Sequence, residues 1–327
     1  MNNLHRGSVC AVSVVACHFA FAAPPAARSG PLSFREFLTL VAQANLELSA
    51  ERANVSMAEA RALAARMFPE PTVTAGIASI DITRRGAPTT TTLGVGATLE
   101  LGGKRSARMA SARGLSAVAR SDLEEFWRNL RAEAANAWIA AASARMVLER
   151  KQQTLRNLVR LVEVNQQRLA AGDIGMTALM QSRVEAQRFR GEVLAAEADL
   201  KTAELVLVRL ANLQGIGDAP LVAAALPQST AHEFDDTALV KQALVDRPDA
   251  RSRRDAIAAA RSRIGLARAN RWIDLALNLG WQHSLPASHA FEAPAYDALA
   301  ATLTLPVPLS RLNRGELNEA TASAGQA

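Results

Sequence analysis

The sequence predicts a mainly α-helical chain that also carries β-hairpins suited to a membrane boundary, and three observations lead there. From Lys104 to Ala171 the chain holds no Pro and a single Gly, Gly114, enough for one helix roughly 100 Å long at about 1.5 Å per residue. Leu93, Val95, Ala97, Leu99 and Leu101 alternate with Gly94, Gly96, Thr98 and Glu100, the period of a two-faced strand. Only 4% of residues are aromatic although 49% are apolar. A chain this rich in Ala, Leu, Arg, Glu and Gln favours long helices packed at close range over a thick compact core.

Taken in order, residues 1–23 read as an export signal. His5 and Arg6 precede an apolar run from Val9 to Phe21, and Ala20-Phe21-Ala22-Ala23 stands before Pro24-Pro25, which gives a basic start, a middle too short to span a bilayer and a small-residue cleavage site. Cleavage after Ala22 or Ala23 is one outcome; a lipid on Cys17, after Val14-Val15-Ala16, is the other. Cys10 and Cys17 are the only cysteines, so the exported chain has no disulfide and no thiolate metal site. No later segment reaches the length of apolar chain that a transmembrane helix needs.

Ser33-Phe34-Arg35-Glu36 has capping-box form and opens a helical pattern to Met67, which Phe68-Pro69-Glu70-Pro71 ends. A first β-hairpin occupies 72–101. One of its faces is apolar and the other small or polar, as lipid outside and water inside require, although a half-buried soluble hairpin has the same pattern. The long helix from Lys104 follows, with Leu148, Leu155, Val162 and Leu169 at heptad spacing. Gly172-Asp173-Ile174-Gly175-Met176 breaks it, and a second helix returns to Leu213. Leu179, Ala186, Val193, Leu200 and Leu207 recur every seventh position, as do Ser182, Phe189, Ala196, Ala203 and Leu210, which describes an antiparallel coiled coil with Ala allowing close approach.

After a linker at 218–236 the pattern restarts, about 202 to 206 residues on. Thr237 to Arg271 is helical in composition, with Arg247-Pro248-Asp249 in the place of Asn45-Leu46-Glu47. A second hairpin spans 273–306, with Ile273, Leu275, Leu277, Leu279 and Trp281 alternating with Asp274, Ala276, Asn278, Gly280 and Gln282. The organisation is therefore a leader at 1–23, a first repeat at 24–217 with its helical hairpin at 104–213, the linker, and an incomplete second repeat at 237–327 that ends where its long helix begins.

The net charge of +6 comes almost wholly from Arg dispersed among acids, with only four Lys and no basic block. That argues for solvated helix faces and against a nucleic-acid partner. Outside the leader the His residues are His232, His283 and His289, and no HxxxH or HExxH pair occurs. His283, His289 and Glu292 share a loop region, but ordinary loop solvation accounts for them. The glycines near Gly94 and Gly102 do not complete a phosphate loop, and no Ser has a placed base. Neither an enzyme nor a cofactor is expected.

ELGGKR at 100–105, RANRW with Asp274 at 268–274, RLAAG at 168–172 and PVPLSRLNRG at 306–315, in this order and spacing, resemble the TolC-like outer-membrane efflux proteins, in particular their heavy-metal (cobalt, zinc, cadmium) resistance branch. Ser310 and Ile273 depart from the branch, which usually has Phe and often Pro there. The resemblance implies a homotrimer whose protomers each give four strands to a twelve-stranded outer-membrane barrel and helical hairpins to a periplasmic tunnel. It also implies a periplasmic adaptor (membrane fusion) protein and an inner-membrane resistance-nodulation-division pump as partners, in a Gram-negative cell. By that resemblance Gly172, Asp173, Ile174, Gly175 and Met176 form the adaptor-facing tip. Thr98, Glu100, Asn278 and Gln282 face the barrel lumen, and Trp272, Trp281, Phe291 and Tyr296 lie at the membrane interface with outer-membrane lipid, plain strand packing being the alternative for these aromatics. The family's second helical hairpin is missing, so the chain is expected to be C-terminally truncated and to lack half its tunnel wall. A periplasmic coiled-coil adaptor or interaction protein is the other reading.

Overall fold

The computed structural model describes residues 32–79, 89–213, 222, 235–285, 294–307 and 315–327. The leader with Cys17, most of the linker, and Phe291 with its neighbours lie outside them. The elements run α1 (Phe34–Ala44), α2 (Leu46–Ala64), β1 (Thr72–Ser79), β2 (Thr89–Glu100), α3 (Lys104–Ala170), α4 (Met176–Ala211), α5 (Asp236–Asp246), α6 (Pro248–Ala269), β3 (Asp274–Ser284), β4 (Tyr296–Thr304) and α7 (Gly315–Gln326). The expected mainly helical chain with four strands is what forms. Its two compact units are each discontinuous, Met1–Asn45 with Ala134–Leu226 and Leu46–Glu133 with Pro227–Ala327, so they cut across the sequential repeats and divide α3.

In the first unit, Ser33 caps α1 by the expected capping box: its Oγ accepts from Glu36 N at 3.3 Å, and Glu36 Oε2 accepts from Ser33 N at 3.0 Å. Phe37 and Val41, one turn apart, are fully buried, and α1 packs on α4. The helix expected from Ser33 to Met67 is interrupted at Asn45, which adopts extended backbone. Its buried side chain donates from Nδ2 to Leu210 O at 2.9 Å, so a carbonyl in the last turn of α4 finds its partner there.

Leu179, Ala186, Val193, Leu200 and Leu207 are buried along α4, as their heptad spacing requires. Leu148 of α3 joins Val193, Ala196 and Leu200 in one cluster, with Leu155 and Phe189 packed at its edge. Between the helices, Gly172 has φ +80°, Asp173 N donates to Arg168 O at 2.8 Å and Gly172 N to Leu169 O at 3.0 Å. This is the Schellman ending, which wants Gly at the left-handed position.

In the second unit the four strands form one antiparallel sheet in the order β1-β2-β3-β4. On the helical side, α3 and α6 approach at small residues: a Cβ on Gly114 would stand 3.0 Å from Ala259 Cα, and Ser111, Ser116, Ala259 and Ala260 are buried. Polar contacts continue along both helices. Ser121 bonds Asp255, Ser252 bonds Asp122, and Arg251 Nη1 donates to Glu124 Oε2 at 2.6 Å. The helical pattern expected from Thr237 to Arg271 breaks at Arg247, since the residue before Pro248 is pushed out of the helical region while Pro itself suits the first turn of α6.

Candidate functional site

Strand pairing decides which residues share a face. Leu93 stands opposite Trp281, Val95 opposite Leu279, Ala97 opposite Leu277 and Leu99 opposite Leu275. Val73 and Ala75 of β1 and Leu299, Ala301 and Leu303 of β4 extend the same face through their own registers. It is apolar and bare: Val73 is 74% exposed, Leu279 68% and Leu299 89%. Within the described residues of this unit no helix covers it.

The opposite face is polar and small. Gly94 pairs with Gly280, Gly96 with Asn278, Thr98 with Ala276, and Thr92 with Gln282. A groove of about 410 Å³ lies over the Gly94–Gly280 pair, walled by Thr74, Thr92, Asn278, Gln282 and Thr302. At Gly96 a Cβ would stand 2.1 Å from Asn278 Oδ1 and 2.7 Å from Thr72 Oγ1, so the missing side chain is what lets these two groups fold inward. Thr98, Glu100, Asn278 and Gln282, the four expected lumen residues, therefore share this face.

The aromatics separate. Trp281 is on the apolar face and stacks on His283, with ring centroids 5.7 Å apart, and His283 Nδ1 is 2.8 Å from Asp297 Oδ1. Tyr296 stands opposite Ser284 on the polar face, where its hydroxyl accepts from Gln282 Nε2 at 3.4 Å. Trp272 precedes β3 and packs over Gly102 at the other end of the sheet. Of the four expected interface aromatics, the three described ones thus flank the sheet at its two ends, Trp281 and Tyr296 at one and Trp272 at the other.

Where the strands hand over to helices, the first turns of α3 hold three other segments. Lys104 Nζ donates to Asp274 Oδ1 at 2.7 Å. Arg108 Nη1 and Nη2 grip both oxygens of Glu100 at 2.5 and 3.0 Å, and the same guanidinium donates to Ala65 O at 3.3 Å and Met67 O at 3.1 Å. Arg105 donates to Arg66 O at 2.8 Å and lies 4.1 Å from the centre of the Phe68 ring. The Glu100 hydrogen bond, against the opposing effect of burial, raises the Arg108 pKa further above its already basic range. Glu100, expected as a lumen residue, is in the structure a fixed ion-pair partner. Sequence reasoning singled out ELGGKR and Asp274 as motifs but assigned no role to Lys104, Arg105 or Arg108. Basic residues directly after a Gly-Gly turn, with an acid before it, were the available signal.

At the α3–α4 turn Gly172, Asp173, Gly175 and Met176 are exposed and Ile174 is half-buried. Gly175 N-caps α4 through its backbone, and among the described residues nothing lies within 4 Å of a Cβ placed on Gly172 or Gly175. The turn is an open tip, shaped by backbone and free of packing against other described residues at the two glycines.

Among the described residues no three His, Cys, Asp or Glu side chains gather to hold a metal ion, and no helix is long and apolar enough to cross a membrane. His289 and Glu292 lie outside the described residues.

Residues 38–213 match the outer membrane efflux protein family. The cobalt-zinc-cadmium resistance protein CzcC of Cupriavidus metallidurans is 25% identical over 311 residues, which cover 93% of this chain and 69% of that protein. Among solved structures, CusC, described for the conformational changes of folding and transmembrane channel formation, aligns with a TM-score of 0.68 at 18% identity over 92% of this chain and 73% of its own. The CmeC outer membrane channel of Campylobacter jejuni aligns with a TM-score of 0.68 at 14% identity, over 90% and 65% respectively. The fold is theirs, a TolC-like arrangement of long helices and barrel strands. With more than half of its length matched, the chain belongs to the outer membrane efflux protein family.

Proposed function

We propose that this chain is the outer-membrane channel subunit of a tripartite efflux assembly that expels heavy-metal cations. The observation that carries the reading is the four-stranded sheet, with one bare apolar face, one neutral polar face, and β1 and β4 each paired on one side only. Open strand edges are not tolerated in lipid, so such a sheet needs neighbouring copies to close it. Three copies in a ring make a twelve-stranded barrel, a size within the known range for outer-membrane barrels. The apolar face then meets lipid, and Thr98, Asn278 and Gln282 line a water-filled lumen. Trp281 sits at one membrane interface and Trp272 at the other, where amphipathic rings are favoured.

The long α3–α4 hairpin extends into the periplasm and presents Gly172–Met176 to an adaptor protein, which joins the channel to an inner-membrane pump. Metal cations are the inferred cargo because of the likeness to CzcC, named for cobalt, zinc and cadmium resistance. Sucrose-gradient fractionation and a metal-tolerance assay test the reading together. We expect the protein to sediment with outer membranes as a trimer, and its deletion to lower tolerance to zinc, cobalt or cadmium. Recovery from the soluble periplasm would instead favour an adaptor or coiled-coil interaction protein.

A further inference from the structure

Glu100 and Asp274 are direct partners in the β2–β3 register and share the polar face of the sheet. Like charges opposed in this way repel. Every other position on that face of the four strands is Thr, Ser, Asn, Gln, Gly, Ala or Tyr. This row is therefore the one place among the described strands where the polar face carries charge.

Both acids are matched from a single source, the start of α3. Lys104 reaches Asp274, and Arg108 grips Glu100 through both oxygens. The side chains of Lys104 and Glu100 are only 7% and 13% exposed, so solvent does little of the screening and the partner side chains do most of it. Two cations and two anions make a neutral set.

We propose that Lys104 and Arg108 determine the ionic selectivity of the polar face by holding the Glu100–Asp274 row at zero net charge, so that a divalent cation in transit meets no acidic trap there. This rests on the reading of that face as the wall of a conduit. In a trimer the row recurs three times around the lumen, and any imbalance is multiplied accordingly.

Planar-bilayer recordings on the whole trimeric protein, taken across a KCl gradient near 0.1 M, test the proposal through the reversal potential. Lys104→Met leaves one bare carboxylate per protomer, and we expect the cation-to-anion permeability ratio to rise roughly threefold at this ionic strength. Asp274→Asn and Glu100→Gln each leave a bare cation and should shift the ratio by a similar factor in the opposite direction. The double variant K104M/D274N, neutral at both positions, should return to the wild-type ratio. It contains no unpaired buried charge, so with D274N it still decides the matter if K104M alone fails to assemble. Single variants that leave the ratio unchanged, or move it in one direction regardless of sign, would overturn the proposal while leaving the conduit intact. If no form conducts, wild type included, the conduit reading falls and the proposal with it.

Discussion

Gly102 and Gly103 are adjacent and share a left-handed backbone, φ +69° and +71°, yet alanine at the two positions should have very different consequences. Either substitution incurs the cost of a Cβ in that region, about 1–2 kcal/mol. At Gly103 little is added, because among the described residues the new Cβ meets only Ser106 Oγ, at 3.3 Å. At Gly102 it would stand 2.2 Å from Trp272 Cγ, 2.4 Å from Cδ1 and 2.5 Å from Cβ. Rotating the indole clears the first two contacts. It cannot clear Trp272 Cβ, which is fixed to the backbone, so the β2–α3 and α6–β3 turns must move apart. Overpacking of this kind costs about 1–3 kcal/mol more. Each turn lies two residues before a member of the Lys104–Asp274 pair, and separation would stretch that bond as well. We expect G102A to lose about 2–5 kcal/mol and G103A about 1–2 kcal/mol, measured by urea unfolding in one detergent and followed by circular dichroism. Equal losses at the two positions would refute the argument, since backbone strain alone would then explain both.

Trp138 is buried beside Phe34, ring centroids 5.5 Å apart, and its Nε1 has no hydrogen-bond partner among the described residues. An unpaired buried N–H costs about 1–3 kcal/mol, so W138F should hold its stability within about 1 kcal/mol, and a larger loss in thermal unfolding would show that the indole nitrogen is satisfied. Asp235 accepts from Thr237 Oγ1 at 2.7 Å and from the amides of Thr237 and Ala238 at 2.9 and 3.3 Å; the Thr237 hydroxyl is the largest cause of its lowered pKa, the amides adding to it. A depressed folded-state pKa gives support that is present at neutral pH and lost as acid protonates the folded carboxylate. Hydrogen exchange of α5 amides, corrected for intrinsic rates, should therefore accelerate below the ordinary carboxylate range in the wild type and lose that dependence in D235N.

Periodicity made the helical hairpin and the faces of the strands legible, because both depend on neighbours within a few residues. Leu179, Val193 and Leu200 are buried where a seven-residue spacing puts them. Alternation in 93–101 and 273–282 likewise sorted the two faces. It could not reveal that β2 pairs with β3, a partnership set by chain distant in sequence. The break at Asn45 was hidden for a similar reason: its flanks favour helix, and the group that holds its side chain is Leu210 O. Gly114 read as a lone glycine tolerated within one long helix, whereas it marks the close approach of Ala259. The acid before the Gly-Gly turn and the cations after it were a local signal for the Arg108–Glu100 pair, whereas the Lys104–Asp274 pair joins residues too distant in sequence for any local rule.

Burial explains why so few aromatics suffice and why the open face of the sheet calls for a cover. The cores of the helical regions are narrow seams in which Ala and Ser sit beside Leu, as at Ala134, Ala141, Ala142 and Ser121. Exposed apolar side chains are scattered along the helices, but on the sheet they gather on one continuous face. Val73, Ile77, Leu93, Val95, Leu99, Leu277, Leu279, Trp281, Leu299 and Leu303 are all at least 41% exposed. At about 1.5–3 kcal/mol for full burial of such a side chain, covering them is worth on the order of 10 kcal/mol, comparable with the whole net stability of an ordinary domain. A soluble chain that left that much uncovered would associate through the face and through the β1 and β4 edges. Neighbouring copies can close the edges, but they leave the outward face bare. On the proposed reading, hydrocarbon around a closed ring of copies satisfies both conditions, so the sheet, rather than any described helix, is the part proposed to lie in the membrane.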